Sequence, residues 1–472
     1  MWRDTAALPE YGRLEGDVRT DVLVIGGGMA GILCAHFLRQ AGVDCVLAEA
    51  DRLCAGTTGN TTAKITSQHG LVYDGLLRRF GAEKAGMYLH ANEAALARYR
   101  GMCREIDCGF EEKDAFVYSL DDRGKLEKEL AALEKLGFHA GFTDKLPLTF
   151  PVAGAVRFER QAQFDPLRFA AAAARGLRAY EHTPVRRLEG TSAVTDRGTI
   201  RAEKVIVATH FPFLNRHGSY FLKIYQHRSY VLALENAANV GGMYVDEAAE
   251  GLSFRNAQGM LLLGGGSHRT GKQGGGWREL EAFAKRHYPR AHIRYRWAAQ
   301  DCMTLDGIPY IGRFSASTPY WYVATGFQKW GMTTSMAAAL LISSLIAKGT
   351  SPYAEVFSPQ RFTPSASAKT LMQETAQATK GLARHFLKPP RADIEALPCG
   401  HGGVVEYDGD KVGVYKDNSG EVFIVSIRCP HLGCQLEWNP DEKSWDCPCH
   451  GSRFDYRGNL IDNPAQKGLE HE

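Results

Sequence analysis

Residues 21–31 read DVLVIGGGMAG, and this stretch decides the first part of the fold. A short apolar run ends at Ile25 and leads straight into Gly26-Gly27-Gly28-Met29-Ala30-Gly31. The residues that follow, ILCAHFLRQAG, have helical spacing, so the order is strand, tight turn, helix. A second strand over 44–48 ends at Glu49, about 20 residues past the turn, as the opening of a parallel βαβ unit requires. In such a unit Gly26 permits the turn, Gly28 lets a pyrophosphate approach the backbone, and Gly31 lets the helix pack close to the sheet. The helix that follows turns its positive end toward the phosphates, and Met29 and Ala30 within the turn are candidate cofactor contacts. Glu49 is placed to accept ribose hydroxyls and disfavours a 2′-phosphate. NAD and FAD share this fingerprint, so the choice between them needs residues elsewhere.

The chain has 472 residues, too many for one ordinary core, and two or three domains are expected. Apolar residues make up 44% and charged residues 23%, as in ordinary globular chains. The net charge is +3 with no dense basic stripe, which makes nucleic acid a poor partner. The longest apolar run, 336–347, is well short of the roughly 20 residues that cross a bilayer and reads as a buried helix, so no membrane span is expected. The polar start lacks an apolar signal core, and a cytoplasmic location is expected.

Further parallel strands are expected at 204–209 (KVIVAT) and 321–325 (WYVAT). Segments 70–150 and 215–300 mix helical patterns with short alternating strands such as 229–234, and read as one inserted substrate domain. Gly264-Gly265-Gly266 continues into Ser-His-Arg-Thr-Gly and not into a helix, so it reads as a turn in that domain. Three prolines within 351–364 and a polar helical stretch over 366–386 mark a linker with a helix, 351–395. From 397 onward short β-type runs alternate with Gly/Asp/Asn turns, the pattern of a small all-β domain.

Four of the eleven cysteines fall within 429–449, alongside two histidines, which points to a metal and not to a disulfide framework. The first loop is Cys429-Pro430-His431-Leu432-Gly433-Cys434; the second, after a 12-residue gap, is Cys447-Pro448-Cys449-His450-Gly451-Ser452. Zinc would accept two thiolates and two imidazoles. Zinc fingers, however, place both cysteines in one loop, whereas each loop here supplies one of each type. In Rieske centres two histidines replace two cysteines on one iron.

The two loops resemble those of Rieske proteins, and especially the subgroup in which each loop carries one additional cysteine. That resemblance implies a 2Fe-2S cluster with Cys429 and Cys447 on one iron and His431 and His450 on the other. It also implies a disulfide between Cys434 and Cys449. High-potential Rieske proteins carry a Ser two residues after the last ligand and a Tyr two residues beyond it. This chain has Ser452 and Phe454, so a lower potential is expected.

The first 335 residues resemble the D-amino-acid-oxidase-like (glycine oxidase and sarcosine oxidase) superfamily of FAD enzymes. The resemblance rests on the glycine turn, the loop LCAGTTGNTTAK over 53–64, the strand ending in Ala208-Thr209, DGIPYIG over 306–312, and WYVATGFQKWGMTTS over 321–335. It implies FAD contacts from Ala50, Arg52, Thr57, Thr58, Thr62, Ala63, Val185, Ala208, Thr209 and Gly312. It further implies that Gly331, Met332 and Thr333 open a helix against the flavin O2 and N1 edge, where the helix dipole stabilises the reduced anion.

The whole arrangement resembles bacterial FAD-dependent oxidoreductases with a C-terminal Rieske domain. The implied fold is an α/β Rossmann-like FAD-binding domain with an inserted α+β substrate domain, plus a small all-β Rieske domain. The flavoprotein would cover 1–350, with FAD-binding parts at about 15–70, 150–215 and 300–350 and substrate-domain parts at about 71–150 and 215–300; the Rieske domain would cover 396–472. The superfamily removes a hydride from a carbon next to an amine. Reduced flavin holds two electrons and the cluster accepts one, so the expected activity is an amine or amino-acid-type dehydrogenase that passes electrons to the cluster. The competing reading is a reductase in which the cluster feeds FAD. Either needs a small-molecule substrate and an electron acceptor or donor. Polar positions beside the flavin motifs supply candidate catalytic residues: Lys64, His69, His227, Arg228, Gln300 and Lys329.

Overall fold

The computed structural model describes residues 1–214, 216–272, 274–361, 367, 372, 397–407 and 410–470. Of the expected helix over 366–386, all but residues 367 and 372 lie outside them.

Val22, Leu23, Val24 and Ile25 are all fully or nearly fully buried, which is how a parallel strand covered on both faces is built. Their strand, Val18–Ile25, sits between Thr199–Val207 and Cys45–Ala48 and is parallel to both. Thr318–Thr325 and Arg178–Tyr180 extend the sheet in parallel on either side, and Tyr310–Ser315 closes one edge in the antiparallel sense. The apolar runs expected as parallel strands all join this one sheet.

A second, mixed sheet runs in the order His292–Thr304, Ile224–Glu235, Met260–Arg269, Ser253–Ala257, Met243–Asp246, Glu111–Ser119, Gly154–Gln163, Lys64–Ile65. It reaches beyond the segments read as the substrate domain. Gly154–Gln163 and Lys64–Ile65 belong to it and lie within the segments 150–215 and 15–70 expected to bind flavin. The reason is long-range pairing: Gly154–Gln163 lies antiparallel to Glu111–Ser119 along its length. Gly264 to Gly266 are likewise strand and not turn, with Val231 opposite Gly264 and Tyr230 opposite Gly265. Neighbours crowd them there. A Cβ on Gly264 would lie 2.6 Å from Ser253 Oγ, and one on Gly265 2.6 Å from a Leu252 methyl.

Helix Gly331–Lys348 is long and apolar enough to cross a membrane by length and composition, with 61% of it buried inside the protein. It packs against helices Met29–Gln40 and Tyr73–Met102. The start of the expected linker is anchored: Val356 and Phe357 are buried, and Arg361 pairs with Asp306 at 2.7 Å. Beyond it lie a three-stranded sheet (Gly402–Tyr407, Asp410–Lys416, Val422–Ser426) and a four-stranded one (Glu437–Asn439, Ser444–Asp446, Arg453–Asp455, Leu460–Asp462).

Candidate functional site

A cavity of about 1250 Å³ is lined from both large sheets. At one end is the glycine turn. Gly26 has φ +107°, and a Cβ there would lie 2.5 Å from Ala208 O. A Cβ on Gly31 would collide with Gly26 O, so this glycine sets helix against strand. Gly28 is the N-cap of helix Met29–Gln40 and lines the cavity, while Met29 N donates to Thr58 Oγ1 at 3.0 Å. The Glu49 carboxylate accepts from Gly27 N (2.6 Å) and Asp51 N (2.9 Å), and burial raises its pKa. At the other end Gly331 and Met332 open the helix to Lys348, whose first turn has no acid and whose N-cap Trp330 supplies no side-chain cap. Two helix N-termini thus face one cavity, which suits a ligand that carries both a pyrophosphate and an electron-accepting ring.

All but five of the residues read as FAD contacts line this cavity. Gly31 stands behind the turn. Arg52 points outward and pairs with Glu10 at 3.0 Å. Ala63 turns its carbonyl to Arg255 Nη1 at 2.6 Å. Gly312 lies on the edge strand near Pro359. The Thr333 hydroxyl donates to Thr66 O and accepts from Thr66 N, both at 2.9 Å, so it braces the chain just after the strand that carries Lys64.

The six candidate catalytic residues all line the cavity, yet they divide into two groups. Lys64 Nζ reaches Thr62 Oγ1 at 3.2 Å and Ser253 Oγ at 3.5 Å; burial, with the Arg255 charge, pushes its pKa down to about 7. His69 Nδ1 is 2.7 Å from the Tyr88 hydroxyl, its ring stacks on Trp330 at 5.0 Å, and burial lowers its pKa to about 3. Lys329 Nζ donates to Ser267 Oγ at 2.8 Å, with its pKa lowered by burial against the pull of Asp301. His227 is held neutral by burial and by Lys329 and Arg269. The other two are engaged elsewhere. Arg228, 3% exposed, forms a two-pronged pair with Glu442 at 2.9 and 2.5 Å, and Gln300 Nε2 donates to Gly451 O at 2.9 Å. These partners belong to the C-terminal β domain.

Asp301 was missed. It is half-buried in the cavity wall, accepts from Ser229 Oγ at 2.8 Å, and has its pKa raised by desolvation. Its signal was an acid within the strand AAQDC, beside the glutamine that was chosen.

In the C-terminal domain Cys429 and Cys447 are buried free thiols that interact with each other. The His431 and His450 rings stand 4.9 Å apart. Buried His450 Nδ1 has no hydrogen-bond partner among the described residues. Amides of His431 and Leu432 donate to the Cys429 sulfur, and those of Cys449 and His450 to the Cys447 sulfur. The Ser452 hydroxyl also donates to Cys429 and accepts from Ala465 N at 3.0 Å. Cys434 and Cys449 form a disulfide that pins the loops together, and both of its sulfurs lie within 4.8 Å of the Cys447 sulfur. Two thiols, two imidazoles and amides aimed at the sulfurs fit a 2Fe-2S cluster.

The second ligand loop is seated on the first part of the chain. Arg269 donates to Pro448 O and Cys449 O, Gln226 to His450 O at 2.9 Å, and Gln300 to Gly451 O. Glycines permit this approach: a Cβ on Gly271 (φ +73°) would run into the Pro448 backbone, one on Gly276 into the Asp441 carboxylate, and one on Gly451 would lie 2.7 Å from the Gln226 Cβ. Asn463 Nδ2 donates to Thr209 O (3.0 Å) and Phe211 O (2.7 Å), so this domain also helps wall the cavity.

The family profile described as FAD dependent oxidoreductase matches residues 21–345, and that of the Rieske [2Fe-2S] domain matches 390–471. A Bacillus subtilis protein named as a putative Rieske 2Fe-2S iron-sulfur protein, YhfW, is 36% identical over 99% of this chain and 96% of its own length. Among solved structures, L-proline dehydrogenase from P. horikoshii has a TM-score of 0.61 at 18% identity, covering 75% of this chain and 99% of that one. Glycine oxidase from Geobacillus kaustophilus has 0.60 at 19%, covering 73% and 99%. At these identities the two structures are alike in fold.

Proposed function

Because the chain belongs to the FAD dependent oxidoreductase family and ends in a Rieske domain, so that it binds FAD and a 2Fe-2S cluster, we propose that it is an amine or amino-acid-type dehydrogenase whose cluster is the electron outlet of the flavin. One observation carries this reading: the strand that walls the flavin cavity at Asp301 holds the second cluster loop through the adjacent Gln300. A cluster used by some separate reaction would not need that junction. The fold shared with proteins named for proline and glycine chemistry supports the substrate class.

FAD supplies hydride acceptance when bound; the rest falls to side chains. Lys64 Nζ, with its pKa near 7, is partly neutral at neutral pH and accepts a proton from a substrate ammonium, freeing the amine lone pair. Asp301 and the Ser229 and Ser267 hydroxyls orient the polar end. Neutral His69, stacked on Trp330, supplies an apolar wall that excludes water. Cys429, His431, Cys447 and His450 hold the cluster.

The test is anaerobic mixing of the full chain with a panel of amines and amino acids, following flavin bleaching and the appearance of the reduced-cluster EPR signal. A substrate that does both supports the reading, and its rate is expected to rise with pH through about 7 as Lys64 loses its proton, a rise that Lys64→Met removes. If no amine bleaches the flavin while a reduced external donor fills the cluster first and the flavin afterwards, the dehydrogenase reading is wrong.

A further inference from the structure

Arg269 ends the strand Met260–Arg269 of the second sheet, and its guanidinium crosses to the Rieske domain. Nε donates to Pro448 O at 3.1 Å and Nη2 to Cys449 O at 3.2 Å. Each carbonyl belongs to a peptide unit whose N–H donates to the Cys447 sulfur: Pro448 O is paired with the Cys449 N–H, and Cys449 O with the His450 N–H. A cation at the oxygen end of a peptide polarises the unit and strengthens donation from its other end. One guanidinium from outside the domain therefore backs two N–H···S bonds on the same sulfur.

We propose that Arg269 is a positioning residue of the iron–sulfur centre that raises its reduction potential from the flavin side of the interface. The inference rests on the reading of Cys447 as a cluster ligand. Reduction adds negative charge to the cluster and its sulfurs, so stronger donors and a fixed nearby cation favour the reduced state. Arginine suits the task because its planar fork reaches two carbonyls at once and stays charged. Its guanidinium also lies 5.5 Å from the Tyr225 ring centre, which steadies it. Gln226 and Gln300 hold the next two carbonyls of the loop, and the backbone at Gly271 presses on Pro448. The loop therefore stays seated when the guanidinium alone is removed.

The experiment is a mediated redox titration of the cluster in the full-length holoprotein, read by EPR, with iron, sulfide and FAD content measured on each sample. Arg269→Gln is expected to keep its cofactors and to lower the reduced-to-oxidised ratio at fixed poise at least tenfold, a shift of about 59 mV for a one-electron couple. Arg269→Lys, which keeps the charge without the fork, is expected to fall between it and the parent. Either variant, fully loaded and titrating at the parent's potential, overturns the proposal; if the glutamine variant fails to load, the lysine variant decides. A parent protein containing zinc and no sulfide would instead overturn the ligand reading on which the proposal rests.

Discussion

Loops 429–434 and 447–452 each bring one cysteine and one histidine proposed as cluster ligands and one disulfide cysteine, yet their surroundings differ. In the first, Leu432 is 45% exposed and His431 half-buried. In the second, Cys447, Cys449, His450 and Ser452 are buried, and four successive carbonyls from Pro448 to Gly451 are held by flavin-side donors. Local spacing makes both loops competent to bind iron, and the neighbouring sheet makes one inward and the other outward. The two histidines are therefore unequal: His450 faces the flavin domain and His431 faces the surface.

The largest effect separating the loops is expected at the ion pair that seats the second one. Arg228→Ala leaves buried Glu442 with Arg453 at 3.0 Å as its remaining cation and is expected to cost about 3 kcal/mol, the low end for breaking a buried pair, read as a lower denaturation midpoint of the docked domain. Arg428→Ala, on the exposed approach to the first loop, is expected to stay within about 0.5 kcal/mol. Equal losses would mean that the second loop is not specially seated. Next is the disulfide that makes the loops move together. Replacing both Cys434 and Cys449 by Ala opens a link across a sequence separation of 15, worth about 3 kcal/mol, and urea unfolding measures it.

The smallest effects are on potential. Ser452→Ala removes a donor to Cys429, the first loop's sulfur, and should lower the cluster potential by tens of millivolts, given that about 59 mV is a tenfold change in the couple. Phe454 is fully buried opposite Trp445 in the same core cluster as both ligand cysteines, and Phe454→Tyr should raise the potential by adding a donor there. Voltammetry on the full chain reads both, and an unmoved potential in both variants would detach the hydrogen bonds from the couple.

The glycine turn and both ligand loops were legible because their chemistry is written at short spacing along the chain. Residues 26, 28 and 31 act on one turn, and 429 and 431 on one loop. Arg228 and Gln300 were noticed as polar residues near flavin motifs, but their partners lie 214 and 151 residues away. No local pattern distinguishes a residue that touches substrate from one that grips another domain. The three consecutive glycines misled for a similar reason, since their neighbours, Ser253, Leu252 and Gly276, come from other segments.

Where the two halves of the molecule meet, Gly271 brings backbone against the Pro448 backbone, and Gly276 and Gly451 bring backbone against the Asp441 and Gln226 side chains. A junction made that way behaves as a keyed joint and not as a socket for interchangeable parts. An iron–sulfur domain transplanted from another protein would bring its ligands intact and still stand off from this flavin domain unless glycine occurred at the matching knuckle. The two halves must accordingly change together, and a chimera between distant relatives is expected to load both cofactors while exchanging electrons between them slowly.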